Sequence, residues 1–407
     1  MMNYRTVVRL VLSALLVALF VAGCGGSGGG RVALDLATDY VELYPGETRT
    51  VALSVTPTGG FGGSIDLKLQ EVDGDPAPAW IQLNPGTVNV SGATTVNLTL
   101  QATASAAVGS YPLRVVGGGG VAPFTLRVVP ALGSRWREQT RPTSQTLNGI
   151  TWNSAGSFLA VGAGGSAFYS TDNGQTWQDR SLGTGDILRA ATPLDATAFL
   201  AVGYNRAIWI IDVAAWTGDP RGPGGVGYLY GIAHGNGVYV TVGMNGDVYT
   251  SADGGTWNPQ AGLGVTLNAV IYDGARFVAV GGGGTVVTSS DGSIWTPLTS
   301  PGTASLEGIA YGDGAYVAVD VFGRVHTSPD GGTTWTSWDS GAAWLYDVAF
   351  GEGVFVVVGA NGAVFTSNDD GVHWTPRGPG GDSLFDVAYG NGHFVVVGEN
   401  GRVLTSP

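Results

Sequence analysis

The chain has 407 residues, of which 69 are glycine, 44% are apolar and only 12% are charged. The apolar content and the 12 tryptophans argue against disorder, and the glycines suit many tight turns between buried strands. The net charge of −13, a single lysine (Lys68) and scattered arginines leave no basic stripe, which excludes nucleic acid as an expected partner.

The amino end predicts an export signal over residues 1–23. Arg5 and Arg9 precede an apolar run, residues 10–22, that is short for a membrane span. The run ends in Val-Ala-Gly-Cys at residues 21–24, which resembles the lipobox of bacterial lipoproteins, where the cysteine thiol is lipidated. A plain anchor helix or an ordinary secretory signal is the alternative. Cys24 is the only cysteine in the chain.

Acyl chains on Cys24 would attach the protein stably to a membrane, with residues 24–30 as a Gly/Ser-rich tether. The resemblance implies a place in the bacterial cell envelope. Gly25, rather than aspartate, follows the cysteine, and in a Gram-negative cell this favours the outer membrane.

Residues 31–130 predict a β-sandwich. Alternating strands such as 49–55 and 95–100 are separated by Gly/Pro turn clusters, and about seven short strands in one hundred residues is the count expected of an immunoglobulin-like fold. The stretch resembles the Ig-like modules of bacterial surface proteins through Tyr-Pro-Gly-Glu-Thr at 44–48 and Gly-Ser-Tyr-Pro-Leu at 109–113. Its expected role is that of a spacer.

Residues 133–407 contain a repeat of three apolar strands separated by turns. The leading apolar residues of its seven copies are Leu147, Ile187, Leu229, Leu267, Leu306, Leu345 and Leu384. The intervals of 40, 42, 38, 39, 39 and 39 residues are typical of the blades of an all-β propeller. Asn-Gly pairs between the second and third strands, as at 361–362, predict turns with positive φ at both central residues.

The third strand of most copies runs into a box of the form Ser-x-Asp-x-Gly-x-x-Trp. Its residues are Ser170, Asp172, Gly174 and Trp177; Ser328, Asp330, Gly332 and Trp335; Ser367, Asp369, Gly371 and Trp374; and, in shortened forms, Ser251, Asp253 and Trp257, and Ser289, Asp291 and Trp295. The second copy keeps only Asp212 and Trp216. These boxes resemble the Asp-box, or BNR, repeat of sialidase-like propellers. A carboxylate recurring in every copy predicts a turn-making role rather than catalysis.

The seventh copy stops at residue 407 before any fourth strand. Trp136 precedes Leu147 by the spacing seen after the other boxes, so residues 135–140 are expected to supply that strand. The prediction is therefore a propeller of seven blades, residues 133–407, closed by its two ends, because closure leaves no free sheet edge.

No constellation for catalysis emerges. The resemblance to sialidases would require an arginine triad, a tyrosine nucleophile and an acid/base aspartate on long loops, and these blades are near minimal. The four histidines, His234, His326, His373 and His393, are interpreted as solvated turn residues. We expect no enzyme, no cofactor and no metal.

Short Asp-box propellers also resemble the photosystem II assembly and stability factors and their bacterial relatives, which implies a binding scaffold for an envelope protein or peptide. A glycan-binding module or sialidase-like glycoside hydrolase is the alternative, with a glycan as partner. A binding face is expected where the first strands begin, since residues there vary between copies. Its candidates are Asn148, Arg189, Tyr230, Asn268, Glu307, Tyr346, Asp347, Phe385 and Asp386.

Overall fold

The computed structural model describes residues 31–43, 48–102, 109–128 and 133–406. They belong to two compact units, residues 1–130 and 131–407. The expected signal, Cys24 and the tether lie outside the described residues. Within those residues, no helix has the length and apolar character to cross a bilayer.

The described residues of the first unit form ten strands. They are β1 (Arg31–Leu36), β2 (Tyr40–Leu43), β3 (Thr48–Thr58), β4 (Gly63–Asp66), β5 (Lys68–Glu71), β6 (Ile81–Asn84), β7 (Thr87–Val90), β8 (Thr94–Ala102), β9 (Gly109–Gly117) and β10 (Gly120–Val128). Two four-stranded sheets have the orders β1-β3-β8-β6 and β2-β10-β9-β5, and β4 pairs with β7.

Period-two alternation explains these sheets. In β3, Val51, Leu53 and Val55 are buried while their neighbours are half-buried or exposed. Leu98 on the same sheet and Leu126 on the other belong to the same hydrophobic cluster. The two sheets therefore share one core, as the alternating pattern requires.

The second unit contains seven four-stranded antiparallel sheets, which we number as blades 1 to 7 in the order of their first strands. The first strands are β12 (Leu147–Asn153), β16 (Leu188–Pro193), β20 (Leu229–Gly235), β24 (Leu267–Tyr272), β28 (Leu306–Gly312), β32 (Leu345–Gly351) and β36 (Leu384–Gly390). The second strands are β13 (Ser157–Gly162), β17 (Ala198–Gly203), β21 (Val238–Gly243), β25 (Phe277–Gly281), β29 (Ala315–Asp320), β33 (Val354–Gly359) and β37 (His393–Gly398).

The third strands are β14 (Ala167–Ser170), β18 (Ile208–Asp212), β22 (Val248–Ser251), β26 (Thr285–Ser289), β30 (Arg324–Ser328), β34 (Val364–Ser367) and β38 (Val403–Ser406). The fourth strands of blades 1 to 6 are β15 (Gln178–Asp179), β19 (Thr217–Pro220), β23 (Asn258–Pro259), β27 (Thr296–Pro297), β31 (Thr336–Asp339) and β35 (Thr375–Pro376). In blade 7 the fourth strand is β11 (Arg137–Glu138), which pairs with β38.

The second strands are buried on both faces, which explains why they read as continuous apolar runs rather than alternating ones. Each hydrophobic cluster of this unit combines side chains of two successive blades. One of them joins Val395 of blade 7 to Phe158 of blade 1. First strands contact the next first strand in turn, and β36 contacts β12. The ring of first strands is therefore continuous.

Aromatic rings pack between the first strands of neighbouring blades. Tyr272, Phe350, Tyr389 and Trp152 each lie over a glycine that ends the first strand of the preceding blade. A β-carbon built on Gly390 would lie 2.1 Å from Cγ of Trp152. Glycine is thus needed for close approach at these positions rather than for an unusual φ.

Two features of blade 2 differ from the sequence interpretation. Leu188, not Ile187, holds the leading position, because it is fully buried and pairs with Gly203 as Leu147 pairs with Gly162.

Trp216 also differs, because it does not occupy the place of the other box tryptophans. It is 69% exposed, has φ 61° and lies under the Arg180 guanidinium, 3.4 Å from the ring centre. Gly218 stands at the equivalent register position, and a β-carbon there would meet Leu182, which fills the space of the missing indole.

The Asn-Gly turns have the predicted geometry. Asn361 and Gly362 have φ 57° and 69°, and Asn400 and Gly401 have φ 55° and 70°. Positive φ at both central residues favours the asparagine-glycine pair at each of these turns.

Candidate functional site

The Asp boxes form closed turns between the third and fourth strands. In blade 5, Ser328 Oγ donates to Asp330 Oδ1 at 2.9 Å, and that oxygen also accepts the backbone N–H of Thr334 at 2.9 Å. The Gly332 N–H donates to Ser328 Oγ at 2.9 Å. Hydrogen bonds from Thr334 hold the pKa of the Asp330 carboxyl down at about 2. These carboxylates are therefore occupied as hydrogen-bond acceptors.

The same contacts recur in the other boxes. Ser170, Ser251, Ser289 and Ser367 donate to Asp172, Asp253, Asp291 and Asp369 over distances between 2.7 and 3.2 Å. The indole N–H of Trp177, Trp257, Trp295 and Trp374 donates to a box glycine carbonyl. Trp335 instead donates to the Thr299 carbonyl in the loop from blade 4.

A β-bulge begins every first strand. The register shifts between the leading leucine and the second residue after it, for example between Leu345 and Asp347. The unpaired residues at the seven bulges are Asn148, Arg189, Tyr230, Asn268, Glu307, Tyr346 and Phe385. Bulges re-aim a side chain out of the ladder. Seven of the nine candidate residues are therefore the unpaired residues of a β-bulge that recurs in every blade.

We call the end of the ring at which the first strands begin the channel mouth. Because the strands are antiparallel, the turns between second and third strands lie at the same end, and the Asp-box turns lie at the opposite end. All nine candidates lie at the channel mouth and are partly exposed as residues, although the carboxyl groups of Asp347 and Asp386 are turned towards the next blade.

Four of the nine candidates hydrogen-bond to the backbone of a neighbouring blade. Asn148 Nδ2 donates to the Leu188 carbonyl at 2.9 Å, and Asn268 Nδ2 donates to the Leu306 carbonyl at 2.8 Å.

The other two are aspartates of blades 6 and 7. Asp347 Oδ2 accepts the Val387 N–H at 3.1 Å, and Asp386 Oδ2 accepts the Ile150 N–H at 2.7 Å. The position of Asp347 and Asp386 is glycine or alanine in the other blades, where first strands approach too closely for a larger side chain. These four side chains hold the ring together.

Asp347 of blade 6 and Asp386 of blade 7 form a carboxyl pair between these two blades. Removal from water raises the pKa of both carboxyls, and for Asp386 the adjacent Asp347 charge raises it well above its ordinary value. Two carboxyls so placed favour a shared proton over two negative charges.

Three of the remaining candidates, Tyr230, Tyr346 and Phe385, belong to two aromatic groups. On one side, the rings of Tyr204 and Tyr228 have centres 4.2 Å apart, and Tyr228 lies 6.2 Å from Tyr230. On the other, Trp344 stacks on Tyr346 at 5.7 Å, and Tyr346 meets the edge of Phe385 at 5.0 Å. Trp344 is 42% exposed.

Arg189 and Glu307 are the two charged residues on the bulges at the channel mouth. The Arg189 guanidinium lies 5.9 Å from the Tyr230 ring centre, and its Nε is buried without a hydrogen-bond partner among the described residues. Burial raises the pKa of Glu307, whose Oε1 accepts from Ser305 Oγ at 3.0 Å and from Asn268 Nδ2 at 3.1 Å. Arg189 therefore has donor capacity that the protein leaves unused.

The interpretation of the histidines needs correction. His234 and His373 are exposed and His393 is half-buried, but His326 is only 3% exposed and contacts Asp320 and Ser337. The interpretation of His326 as solvated is wrong, because its side chain faces the blade interior. His234 and His393 lie in strands β20 and β37 rather than in turns. Within the described part of the chain, no three acidic, histidine or cysteine side chains converge as a metal site.

The predicted binding face did not include Tyr204, Tyr228 and Trp344. None of them follows the leading residue of a blade: Tyr228 and Trp344 come just before it, and Tyr204 follows a second strand. An aromatic residue immediately before two of the leading leucines was the available signal.

The sequence matches no protein-family model and no curated protein. Solved structures are similar in fold. YCF48 from Cyanidioschyzon merolae is 17% identical with a TM-score of 0.56, covering 67% of this chain and 98% of that one. YCF48 bound to D1 peptide is 18% identical with a TM-score of 0.57, covering 67% and 94%.

A third similar structure is the WD40 β-propeller domain of Doa1, which is 13% identical with a TM-score of 0.57 and covers 67% of this chain and 97% of that one. Together these likenesses show that the chain contains a β-propeller. At such low identity they show the fold alone.

Proposed function

We propose that this protein is a binding scaffold whose propeller holds a peptide, or an extended segment of a protein, at the channel mouth. The observation that carries the proposal is Arg189, a partly exposed cation beside the Tyr230 ring at the channel mouth. Hydrogen bonds from a guanidinium to a carboxylate are among the stronger ones in proteins. A carbonyl or carboxylate of a bound peptide would accept from the exposed part of this side chain.

The aromatic groups on either side supply the apolar part of the surface. Tyr230 and Phe385 sit on bulges of a rigid ring, so little conformational entropy is lost when they are covered. Tyrosine, tryptophan and arginine are the residues that most often dominate binding energy at interfaces. The box tryptophans at the opposite end already donate their indole N–H groups to backbone carbonyls, which favours the channel mouth as the binding end.

A similar fold is known with a peptide in place, since one of the similar structures is YCF48 bound to D1 peptide. This supports a peptide or protein as the class of partner. Because the sequence identity to that structure is only 18%, the similarity does not indicate which peptide sequence this protein binds. The residues at the channel mouth of this protein would determine that sequence.

The wider arrangement that we propose is a lipid-anchored envelope protein. Cys24 would carry the anchor, residues 31–130 would serve as an Ig-like spacer, and residues 133–407 would form a seven-bladed ring closed by residues 135–140. The pairing of Arg137 with Thr405 and of Glu138 with Leu404 supports the closure. Two sheets that share a core support the spacer.

The test is selection of peptides from a random display library on the purified protein, followed by affinity measurement by fluorescence anisotropy. Arg189→Gln and Phe385→Ala should each weaken a selected peptide by about tenfold or more, the loss of roughly 1.4 kcal/mol expected for an interface anchor.

Arg137→Gln, an exposed arginine on β11, is the matched control and should bind as the wild type does. Peptides that bind all variants equally, or a glycan array that gives strong signals where no peptide is selected, would contradict the proposal.

A further inference from the structure

Blade 5 departs from the other six blades at three register positions that contact one another. The first is the residue that pairs with the leading leucine: Asp320 in blade 5, and Gly162, Gly203, Gly243, Gly281, Gly359 and Gly398 elsewhere. A β-carbon on those glycines would lie between 2.1 and 2.4 Å from a backbone carbonyl oxygen. Asp320 therefore occupies a place from which the repeat excludes side chains.

The second position lies on the third strand, and the third lies opposite it on the fourth. His326 replaces Phe168, Trp209, Tyr249, Val287, Phe365 and Leu404. Ser337, paired with His326, replaces Asp179, Pro220, Pro259, Pro297, Pro376 and Glu138. Three coordinated departures from an otherwise regular repeat indicate a local function.

The three side chains form one hydrogen-bonded chain. Asp320 Oδ1 accepts the backbone N–H of Phe322 at 2.8 Å and of Arg324 at 2.9 Å, which fixes the carboxylate. Its Oδ2 lies 3.2 Å from His326 Nε2, and His326 Nδ1 lies 2.7 Å from Ser337 Oγ. A carboxylate acceptor requires the proton on Nε2, so the Nδ1 lone pair faces the serine hydroxyl.

Burial keeps the histidine in the form that can accept a proton. Desolvation lowers the pKa of His326 and outweighs the opposing hydrogen bond and charge of Asp320. Asp320 is fully buried and His326 is 3% exposed, whereas Ser337 is open to solvent. A nucleophile, a base within hydrogen-bond reach and a third group that orients the base is the arrangement that activates a serine.

A cavity of about 180 Å³ lies beside Asp320, His326 and Ser337 at the channel-mouth end of the blade. Ala304, Leu306 and Phe322 give it apolar walls, Arg324 contributes a cation, and His326 and Ser337 line it as well. The volume suits a short acyl group, and Ser337 gives solvent access to the bond that would be cleaved.

We propose that Ser337 is an activated nucleophile, with His326 as its general base and Asp320 as the positioning residue, and that blade 5 hydrolyses small esters. The Ser337 hydroxyl proton passes to His326 Nδ1 as Oγ bonds to the ester carbonyl carbon. The carbon–alkoxide bond then breaks, and the leaving alcohol takes the proton from Nδ1. Water repeats the step on the acyl-serine, releasing the carboxylic acid and returning the proton to Oγ.

Arg324 is the cation on the cavity wall that we assign to the oxyanion formed in each step. The site uses none of Arg189, Tyr230, Glu307, Tyr346 and Phe385. It is therefore a second activity, independent of peptide binding at the channel mouth.

The test uses a fluorophosphonate probe with peptide mapping by mass spectrometry, together with hydrolysis of p-nitrophenyl butyrate by the whole protein. The wild type should be phosphonylated at Ser337, and Ser337→Ala should lose both the label and the turnover. Removal of the general base should slow labelling on the order of 100-fold or more. Arg324→Gln should slow ester turnover while leaving the fold unchanged, because its side chain is exposed.

The variant for the base is the double substitution Asp320→Gly with His326→Phe, which restores residues found in blade 1 and is expected to fold. Ser91→Ala, an exposed serine of the first unit, is the matched control and should retain full labelling. An unlabelled Ser337 in the folded wild type, or equal labelling rates in the wild type and the double variant, would overturn the proposal.

Discussion

Two groups of acidic residues in this protein have opposite electrostatics. The box carboxylates accept several N–H and O–H groups in tight turns, so the pKa of Asp330 falls to about 2. Asp347 and Asp386 are removed from water beside each other, so the pKa of each rises. The first group stabilises the fold when charged, and the second destabilises it when charged.

Asp330→Asn tests the first group. The folded pKa of Asp330 lies below the ordinary value of 3.8, so its contribution to stability is present above that value and is lost as pH falls towards about 2. The variant should melt a few degrees below the wild type at pH 7, and the gap should narrow at pH 3. Calorimetry at both pH values measures it. A gap that is unchanged at pH 3 would show that the charge has no part in the turn.

Asp386→Asn tests the second group, for which stability is expected to change with pH in the opposite direction. The folded pKa of Asp386 lies above the value of the unfolded chain, so the wild type loses stability as pH rises from about 4 through the folded pKa. Asparagine can still accept the Ile150 N–H but does not ionise. The variant should melt higher than the wild type at pH 8 and match it near pH 4. A variant less stable at pH 8 would contradict the shared-proton account.

At the scale of elements, the repeat predicts strands and turns well because each rests on local chemistry. Asn361 and Gly362 favour positive φ wherever they stand, and the doubly buried second strands must be apolar. The bulge at Tyr346 and the packing of Trp152 over Gly390 depend on contacts between residues distant in sequence. The periodicity of the sequence therefore does not predict these two features.

The channel mouth was predictable only in part for the same reason. Variation after the leading residue pointed to Arg189 and Tyr230, but also to Asn148, which bonds to the next blade. Tyr228 completes the aromatic group from outside that pattern. The burial of His326 could not be predicted from the repeat, because its partner Asp320 fills a position that glycine holds in the other blades.

Gly390→Ala tests the packing of blade 7 against blade 1. The added β-carbon would lie 2.1 Å from the Trp152 ring, and overpacking of this kind costs roughly 1–3 kcal/mol of unfolding free energy. Gly185→Ala is the matched control, since nothing lies within 4 Å of its β-carbon and its φ is not left-handed. Urea unfolding should separate the two variants, and equal midpoints would show that the ring of Trp152 is free to move.

At the scale of the whole molecule, the proposed protein consists of an anchor, a spacer and a ring. Cys24→Ser tests the anchor: the wild type should take up radiolabelled palmitate and sediment with membranes, and the variant should do neither. Ser91→Ala should behave as the wild type does. A variant that still sediments with membranes would mean that an attachment other than the thiol holds the protein there.

The central claim is that the channel mouth is the binding surface, and hydrogen–deuterium exchange with a display-selected peptide tests it most directly. Bound peptide should slow exchange in residues 187–190, 228–231, 344–347 and 384–387, where the bulged first strands begin, and leave the Asp-box turns unchanged. Slowed exchange confined to the Asp-box turns, such as residues 328–335, would place binding at the opposite end of the ring and contradict the account.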